Sequence, residues 1–172
     1  MPTLTLDLTR TTESLWGGIK KTRRADIKRA KRLGIKVEKS SDEAAYKKIL
    51  NELREKLDLP LRNPKPNPPY LFIAIDAYGE TLAAENFYKC KDSRLRAESS
   101  ATKRIISTKK TASGLAHALL IWETILWAKS QGFKTYDFGG YALNGLDPNG
   151  RDVSGVNFWK KSFGGAVTPK TC

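Results

Sequence analysis

Two short stretches near the end of the chain carry the residues whose types and spacing could do chemistry. Tyr136-Asp137-Phe138-Gly139-Gly140 closes an expected strand in an acid and two glycines, with Tyr141 next. Residues 155–165 then read Gly-Val-Asn-Phe-Trp-Lys-Lys-Ser-Phe-Gly-Gly. Paired glycines serve where backbone must turn sharply or pass close to another group. An acid, a glycine turn and an aromatic-flanked lysine after a strand make Asp137, Gly139, Gly140, Trp159 and Lys160 a candidate site.

Several chemistries find no support elsewhere in the chain. His117 is the only histidine, and Cys90 and Cys172 have no zinc spacing, so no metal is expected. A lone histidine on an apolar helix reads as a half-buried residue satisfied by its neighbours. No G-x-S-x-G, no P-loop and no G-x-G-x-x-G occurs. A transferase whose substrates bring their own nucleophile and leaving group needs fewer catalytic side chains. It relies on positioning and on stabilising an oxyanion.

The 172 residues are enough for one domain with a real core. The two cysteines do not make a disulfide framework, and reduced thiols in a cytoplasmic protein are the expectation. No signal pattern opens the sequence, and the most apolar stretch, residues 115–128, is too short to span a bilayer and contains Glu123. The net charge is +13, and residues 20–39 hold ten Lys or Arg against Asp26 and Glu38. Such a run is either a solvated helix face or a patch for phosphate, on nucleic acid, a nucleotide-linked substrate or anionic lipid.

The elements that must position these residues follow from periodicity. Residues 4–8 alternate as a half-buried strand. Thr11 or Thr12 caps a helix that runs to about Leu33 and stops at Gly34. The inward stripe is Trp16, Ile19, Arg23, Ile27 and Ala30, with Arg23 either snorkelling or aimed into a cavity. Gly17-Gly18 weaken that helix, which could start after them. Residues 35–38 are a short strand. Ser40 and Glu43 form a capping box for a helix whose stripe is Tyr46, Ile49, Leu50, Leu53 and Leu57. Residues 59–69, with five prolines, form an extended connection. Residues 70–75 suit a central strand, 81–88 return as a hairpin, and 95–100 add a third. Residues 102–111 are basic and irregular. A long helix starts at Ser113 with Leu115, Leu119, Trp122 and Leu126 on one face, and ends at Gln131-Gly132. Residues 133–138 and 166–168 are the last strands. This order predicts an α+β or mixed-sheet α/β domain.

In this framework the chain resembles the Fem-type aminoacyltransferases, the peptidoglycan bridge-forming group of the GNAT superfamily. The residues that carry the resemblance are Leu15-Trp16 with Lys21 to Val37 (K-T-R-R-A-D-I-K-R-A-K-R-L-G-I-K-V), Leu119-Leu120-Ile121-Trp122-Glu123-Thr124-Ile125, Ala128 to Gly132, Tyr136-Asp137-Phe138-Gly139-Gly140 and residues 155–165. Trp159 stands where the family has Phe, and Lys160 matches its Lys. The resemblance implies the GNAT acyltransferase fold: a central, mostly antiparallel sheet flanked by helices and splayed between two middle strands, with the reaction in the cleft. It also implies transfer of an acyl or aminoacyl group to an amine. Family members that build peptidoglycan cross-bridges take the amino acid from aminoacyl-tRNA and usually carry two tandem GNAT-like domains, where this sequence has one.

On that resemblance, aminoacyl-tRNA or another phosphate-bearing compound is the donor, and no cofactor is needed. The acceptor is an amine, such as that of a peptidoglycan precursor or a peptide. Lys160 would stabilise the developing negative charge. Asp137 would orient the amine or hold the Gly139-Gly140 turn. Phe138, Tyr141 and Trp159 would shape the substrate site, and Arg23, Arg24 and Lys28 would contact phosphate. The rival reading is an acyl-CoA-dependent N-acyltransferase. There Ser113, Gly114 and Ala116 would bind pyrophosphate at a helix N-terminus, with Thr111 in place of the usual Gln or Arg and Lys109 and Lys110 just before it. A third reading is a non-catalytic GNAT-like module that binds RNA or a partner through its basic helix.

Overall fold

The computed structural model describes residues 1–63, 70–103, 110–170 and 172, with the backbone alone at 110 and 111. Part of the proline-rich connection, most of the basic stretch before the long helix, and Lys109 lie outside the described residues.

The described residues form five helices and seven strands. The strands are β1 (Thr3–Asp7), β2 (Lys36–Ser40), β3 (Tyr70–Ile75), β4 (Thr81–Lys89), β5 (Arg94–Thr102), β6 (Thr135–Gly140) and β7 (Ala166–Thr168). The helices are α1 (Thr12–Gly18), α2 (Lys21–Arg32), α3 (Glu43–Lys56), α4 (Lys110–Ser130) and α5 (Ser154–Lys161). The strand order is β2-β3-β4-β5-β6-β1-β7. Among the described pairs only β5 with β6 is parallel. The mixed, mostly antiparallel sheet is the expected one. The chain divides into two compact units, each described separately below.

The first unit comprises Met1–Arg24, Lys89–Arg96 and Ile125–Cys172. In it β1 lies between β6 and β7, antiparallel to both. Position between two strands buries β1 from Thr3 to Leu6, where its alternation had suggested a half-buried strand. The core gathers Leu4, Leu6, Leu8, Leu15, Ile19, Tyr136, Phe138 and Phe163. Burial of each such side chain stabilises by about 1.5–3 kcal/mol. Thr11 caps α1, its side chain accepting from the Ser14 N–H. The single long helix expected from residue 12 onward is broken: α1 ends at Gly18, and α2 begins at Lys21. The junction is pinned by the Lys20 N–H, which donates to the Ser162 carbonyl at 2.9 Å. The glycine pair therefore ends one helix, a role that fits its low helix propensity.

Cys90 and Cys172 form a disulfide in this unit, with Cα atoms 6.1 Å apart and a sequence separation of 82. That corrects the expectation of reduced thiols. The pairing is a long-range contact set by the fold, invisible in the spacing of two isolated cysteines.

The second unit comprises Ala25–Tyr88 and Ala97–Thr124. Here β2, β3 and β4 form an antiparallel run, with Val37 opposite Ala74 and Ile73 opposite Ala84. The strand expected to be central, β3, is instead second from the end of the sheet order. Tyr46, Ile49 and Leu50 of α3 pack with Leu71, Ile73, Ala84 and Ala101, and Leu53 joins at the margin. Leu57, expected in that stripe, is 44% exposed because it is the C-cap. Asp42, not Ser40, caps α3: its side chain accepts from the Ala45 N–H at 2.9 Å. Ser40 closes β2 and accepts from the Asp42 N–H instead. The long helix begins at Lys110, three residues before the expected Ser113. Glu123, the acid within its apolar stretch, pairs with Lys31 at 2.8 Å. Among the described residues no helix is long and apolar enough to cross a membrane.

Candidate active site

In the first unit the Asp-Phe-Gly-Gly run ends β6, as expected, with both glycines still inside the strand. Thr5 sits opposite Asp137 while Thr3 sits opposite Gly140, so β6 carries an extra residue against β1. This bulge places Gly139 at φ +81°, a conformation that favours glycine. Asp137 stabilises it: its Oδ1 accepts from the Gly139 N–H at 2.8 Å. Its Oδ2 accepts from Arg96 Nη1 at 2.7 Å and from Arg94 Nη1 at 3.4 Å. Arg96 is the register neighbour of Asp137 in the parallel pair. Asp137 is fully buried and both arginines are 9% exposed. Charge-assisted bonds to both oxygens offset the cost of burying these ions. Phe138 packs into the core between Tyr136 and Phe163, with ring centroids at 4.8 and 5.9 Å.

The segment after β6 returns onto it. Asn157 of α5 is buried and clamps Ala142, accepting from its N–H at 3.3 Å and donating to its carbonyl at 2.6 Å. The clamp brings Lys160 back to the strand end, where its Nζ donates to the Gly140 carbonyl at 2.7 Å. Trp159 packs edge-on against Phe163 at 4.9 Å. Arg23 lies 5.5 Å from the Trp159 ring centre, and its Nε donates to Ser162 Oγ at 3.0 Å. Of the two destinations left open for Arg23, the structure therefore shows a partly buried side chain held against the closing helix. The turn after α5 uses Gly165 at φ +88°, where a Cβ would collide with the Thr5 carbonyl. An open hollow of about 450 Å³ is lined in part by Met1, Pro2, Ala142, Leu143 and Asn144. The Tyr141 N–H donates to the Pro2 carbonyl at 2.8 Å at its edge.

The loop between Ala142 and α5 is itself built. Val153 N–H donates to the Gly145 carbonyl at 2.8 Å, and Leu146 bridges Asp152. Hydrogen bonds from the Arg151 backbone and side chain hold the Asp147 carboxyl below its ordinary pKa. The Ser154 side chain and backbone do the same for Asp152.

The second unit holds Lys28, Ser113, Gly114 and Ala116. Lys28 is exposed on α2. Ser113 is buried and its hydroxyl donates to the Lys103 carbonyl. Ala116 has no accessible surface, and Gly114 is exposed with open space where a Cβ would be. Two polar clusters that sequence reasoning missed also lie in this unit. His117 Nε2 is 3.2 Å from Oε2 of Glu85, which is 6% exposed. On the other face of β4, Asn86 Oδ1 accepts from the Tyr46 hydroxyl at 2.9 Å and from Ser99 N–H at 3.0 Å. Asn86 Nδ2 donates to Glu98 at 2.8 Å. Burial pushes the Tyr46 hydroxyl up to about 12, with smaller upward contributions from Glu85 and Glu98. The signal was two adjacent polar residues, Glu85-Asn86, within an otherwise apolar strand, which must face opposite ways. In the first unit the missed residues are Arg94 and Arg96, whose i, i+2 spacing on a strand aims both at one side.

No family model and no curated protein matches this sequence. Solved structures do share its fold. The chain is similar to FemX, with TM-score 0.78 and 13% identity over 98% of this chain. It is similar to L-PGS from Bacillus licheniformis, with TM-score 0.67 and 13% identity over 98%. The C-terminal DUF2156 domain of a candidate lysylphosphatidylglycerol synthetase from Agrobacterium fabrum gives TM-score 0.72 and 12% identity over 98%. This is the GNAT-type acyltransferase fold. It is the fold that the sequence resemblance implied. The chain spans 60%, 58% and 58% of the length of these three structures.

Within the first unit the fold thus brings together Arg23 and Trp159, Asp137 and Gly139, and Lys160 and Gly140. Arg24 is half-buried in the same unit, at the boundary residue of α2.

Proposed function

We propose that the chain transfers an aminoacyl group to an acceptor amine, as a Fem-like aminoacyltransferase that takes the group from aminoacyl-tRNA. The observation that supports this most is the Lys160 ammonium, held on the Gly140 carbonyl at the end of β6. The acceptor's neutral amine attacks the ester carbonyl, a C–N bond forms, and the ester C–O bond breaks. The amine's proton passes to the departing ribose oxygen. Lys160 Nζ turns from the Gly140 carbonyl to the oxyanion, where a fixed cation in a sheltered site counts most. Asp137 acts by holding the Gly139 bulge and hence the Gly140 carbonyl. Tyr141 and Trp159 form walls of the substrate site, over a floor that Phe138 supports. Arg23, Arg24 and Lys28 offer positive charge to donor phosphates. A peptidoglycan precursor or a peptide supplies the amine.

One of the solved structures with this fold is named for lysylphosphatidylglycerol synthesis, a name that joins an amino acid to a phosphate-bearing molecule. That agrees with an aminoacyl rather than a simple acyl donor.

The test is thermal stabilisation and single-turnover transfer with aminoacyl-tRNA and with acetyl-CoA. Stabilisation and transfer with charged tRNA, lost in Lys160→Ala, is the expected result. Strong stabilisation by acetyl-CoA with none by charged tRNA would replace this reading by the acyl-CoA-dependent one, centred on Ser113, Gly114 and Ala116. RNA binding without turnover, unchanged in Lys160→Ala, would leave a non-catalytic binding module.

A further inference from the structure

Two cation–ring couples clasp α5 to the start of α2 in the first unit. Arg23 lies 5.5 Å from the Trp159 ring centre, and Lys20 Nζ lies 4.3 Å from the Phe158 ring centre. Ser162 ties the two together. Its carbonyl accepts from the Lys20 N–H at 2.9 Å, and its hydroxyl oxygen accepts from Arg23 Nε at 3.0 Å. Ser162 is 1% exposed, so these bonds are sheltered from water. Lys20 and Arg23 are three residues apart, a spacing that sets both side chains on one side of a helical turn. The Lys20 carbonyl accepts from the Arg24 N–H at 3.0 Å and closes that turn. On α5 the Ser162 N–H donates to the Phe158 carbonyl at 3.1 Å, and Asn157 is clamped to Ala142. Both partners of the outer couple thus stand on backbone that is held.

The two couples differ in access. Arg23 and Trp159 are half-buried, and Trp159 also packs on Phe163. Phe158 is 64% exposed, and Lys20 is exposed beside it. The ring therefore keeps most of its surface in water with a cation fixed against it. A solvated cation–ring contact is a weak brace. As a platform it suits an unpaired nucleotide, whose base lies on an aromatic ring while its phosphate meets a nearby cation. Lys21, exposed next to Lys20, adds a second charge.

We propose that Phe158 and Lys20 form a subsite for one unpaired nucleotide of an RNA strand, with the base stacked on the Phe158 ring and the phosphate meeting Lys20 and Lys21. This rests on the reading of the donor as aminoacyl-tRNA and adds a second place where that donor is held. Phe158 and Lys160 are two residues apart on α5, about 200° around the helix. The stacked nucleotide is therefore not the one whose ester reacts at Lys160 but one further along the strand. A duplex offers Phe158 no unpaired base and meets the lysines through its phosphates alone.

Fluorescence anisotropy of the full chain with a labelled single-stranded oligoribonucleotide, and with the same sequence in a duplex, tests the subsite without any transfer. Binding of the single strand is expected, weakening as salt rises. Phe158→Ala lowers single-strand affinity about tenfold and leaves duplex binding unchanged. Phe158→Trp, which keeps a ring, restores it. Lys20→Glu lowers the affinity for both RNAs by a similar factor and flattens the salt dependence. No binding of the single strand overturns the proposal. So does single-strand binding that ignores Phe158→Ala, which would be charge attraction alone. Equal losses on single strand and duplex in Phe158→Ala also overturn it, because a lost stack affects only the former. The transfer reading fails separately. Single-strand binding that depends on Phe158, with no transfer from charged tRNA, keeps the subsite and removes the reaction. Transfer from charged tRNA whose KM is unchanged in Phe158→Ala keeps the reaction and removes the subsite.

Discussion

The two units bury polar groups by opposite means. In the first, one carboxylate, Asp137, holds two guanidiniums and a backbone N–H. In the second, Tyr46, Asn86 and Ser99 form a network of neutral groups that reaches a carboxylate only at Glu98. Both networks leave few loose ends, but they fail differently. Removing one neutral partner loses a hydrogen bond and strands at most a dipole. Removing Asp137 takes from buried Arg96 its ion-pair partner and leaves Arg94 only its pair with Asp92. The difference teaches that the first unit has tied the backbone of its candidate site to a charge cluster, so that the position of the Gly140 carbonyl depends on a buried carboxylate and its arginines.

Asp137→Ala should therefore have the largest effect, a loss of about 3–5 kcal/mol in urea unfolding. A cost below about 1 kcal/mol would end the contrast between the units. Next comes the disulfide. Reduction of Cys90–Cys172 should destabilise by about 2–4 kcal/mol. Hydrogen exchange should locate the loss in the first unit, and equal loss in the second would show that the two do not respond separately.

Lys160→Ala sharpens the comparison from the side of function. Transfer should fall about 100-fold, while stability falls by only about 1 kcal/mol through the lost contact with Gly140. Tyr46→Phe should cost about 1 kcal/mol at neutral pH. It also changes the alkaline limb. A phenol raised from 10.0 to about 12 in the folded chain leaves stability intact below pH 10.0 and erodes it as pH rises towards 12. That erosion should vanish in the Phe variant, as followed by circular dichroism against pH. The smallest effect belongs to Lys31→Ala: its pair with Glu123 is partly solvated, and about 0.5 kcal/mol or less is expected from thermal melts.

Much of the fold was legible because it rests on local patterns. The apolar run at residues 70–75, the stripe of Tyr46, Ile49 and Leu50, and Gly132 at φ +80° after α4 each announce their element. So did the pairing of glycines with an acid and a lysine near the chain end. Other features were out of reach. Ser40 and Asp42 both suit a cap, and only the end of β2 decides between them. Leu57 fits the helical stripe, yet it falls where the helix stops.

The sequence by itself determined most of the helix and strand segments, where glycine must relieve the backbone, and that residues 20–39 are strongly basic. These depend on period, propensity and φ, which neighbours along the chain settle. Only the tertiary structure decided that Asp137 meets Arg94 and Arg96, that Glu85 meets His117, that Lys160 reaches Gly140, and that Cys90 joins Cys172. Each of those contacts joins residues tens of positions apart or brought together by strand register. Register is fixed by the sum of many packing and hydrogen-bond terms, and no local stretch of sequence carries that sum.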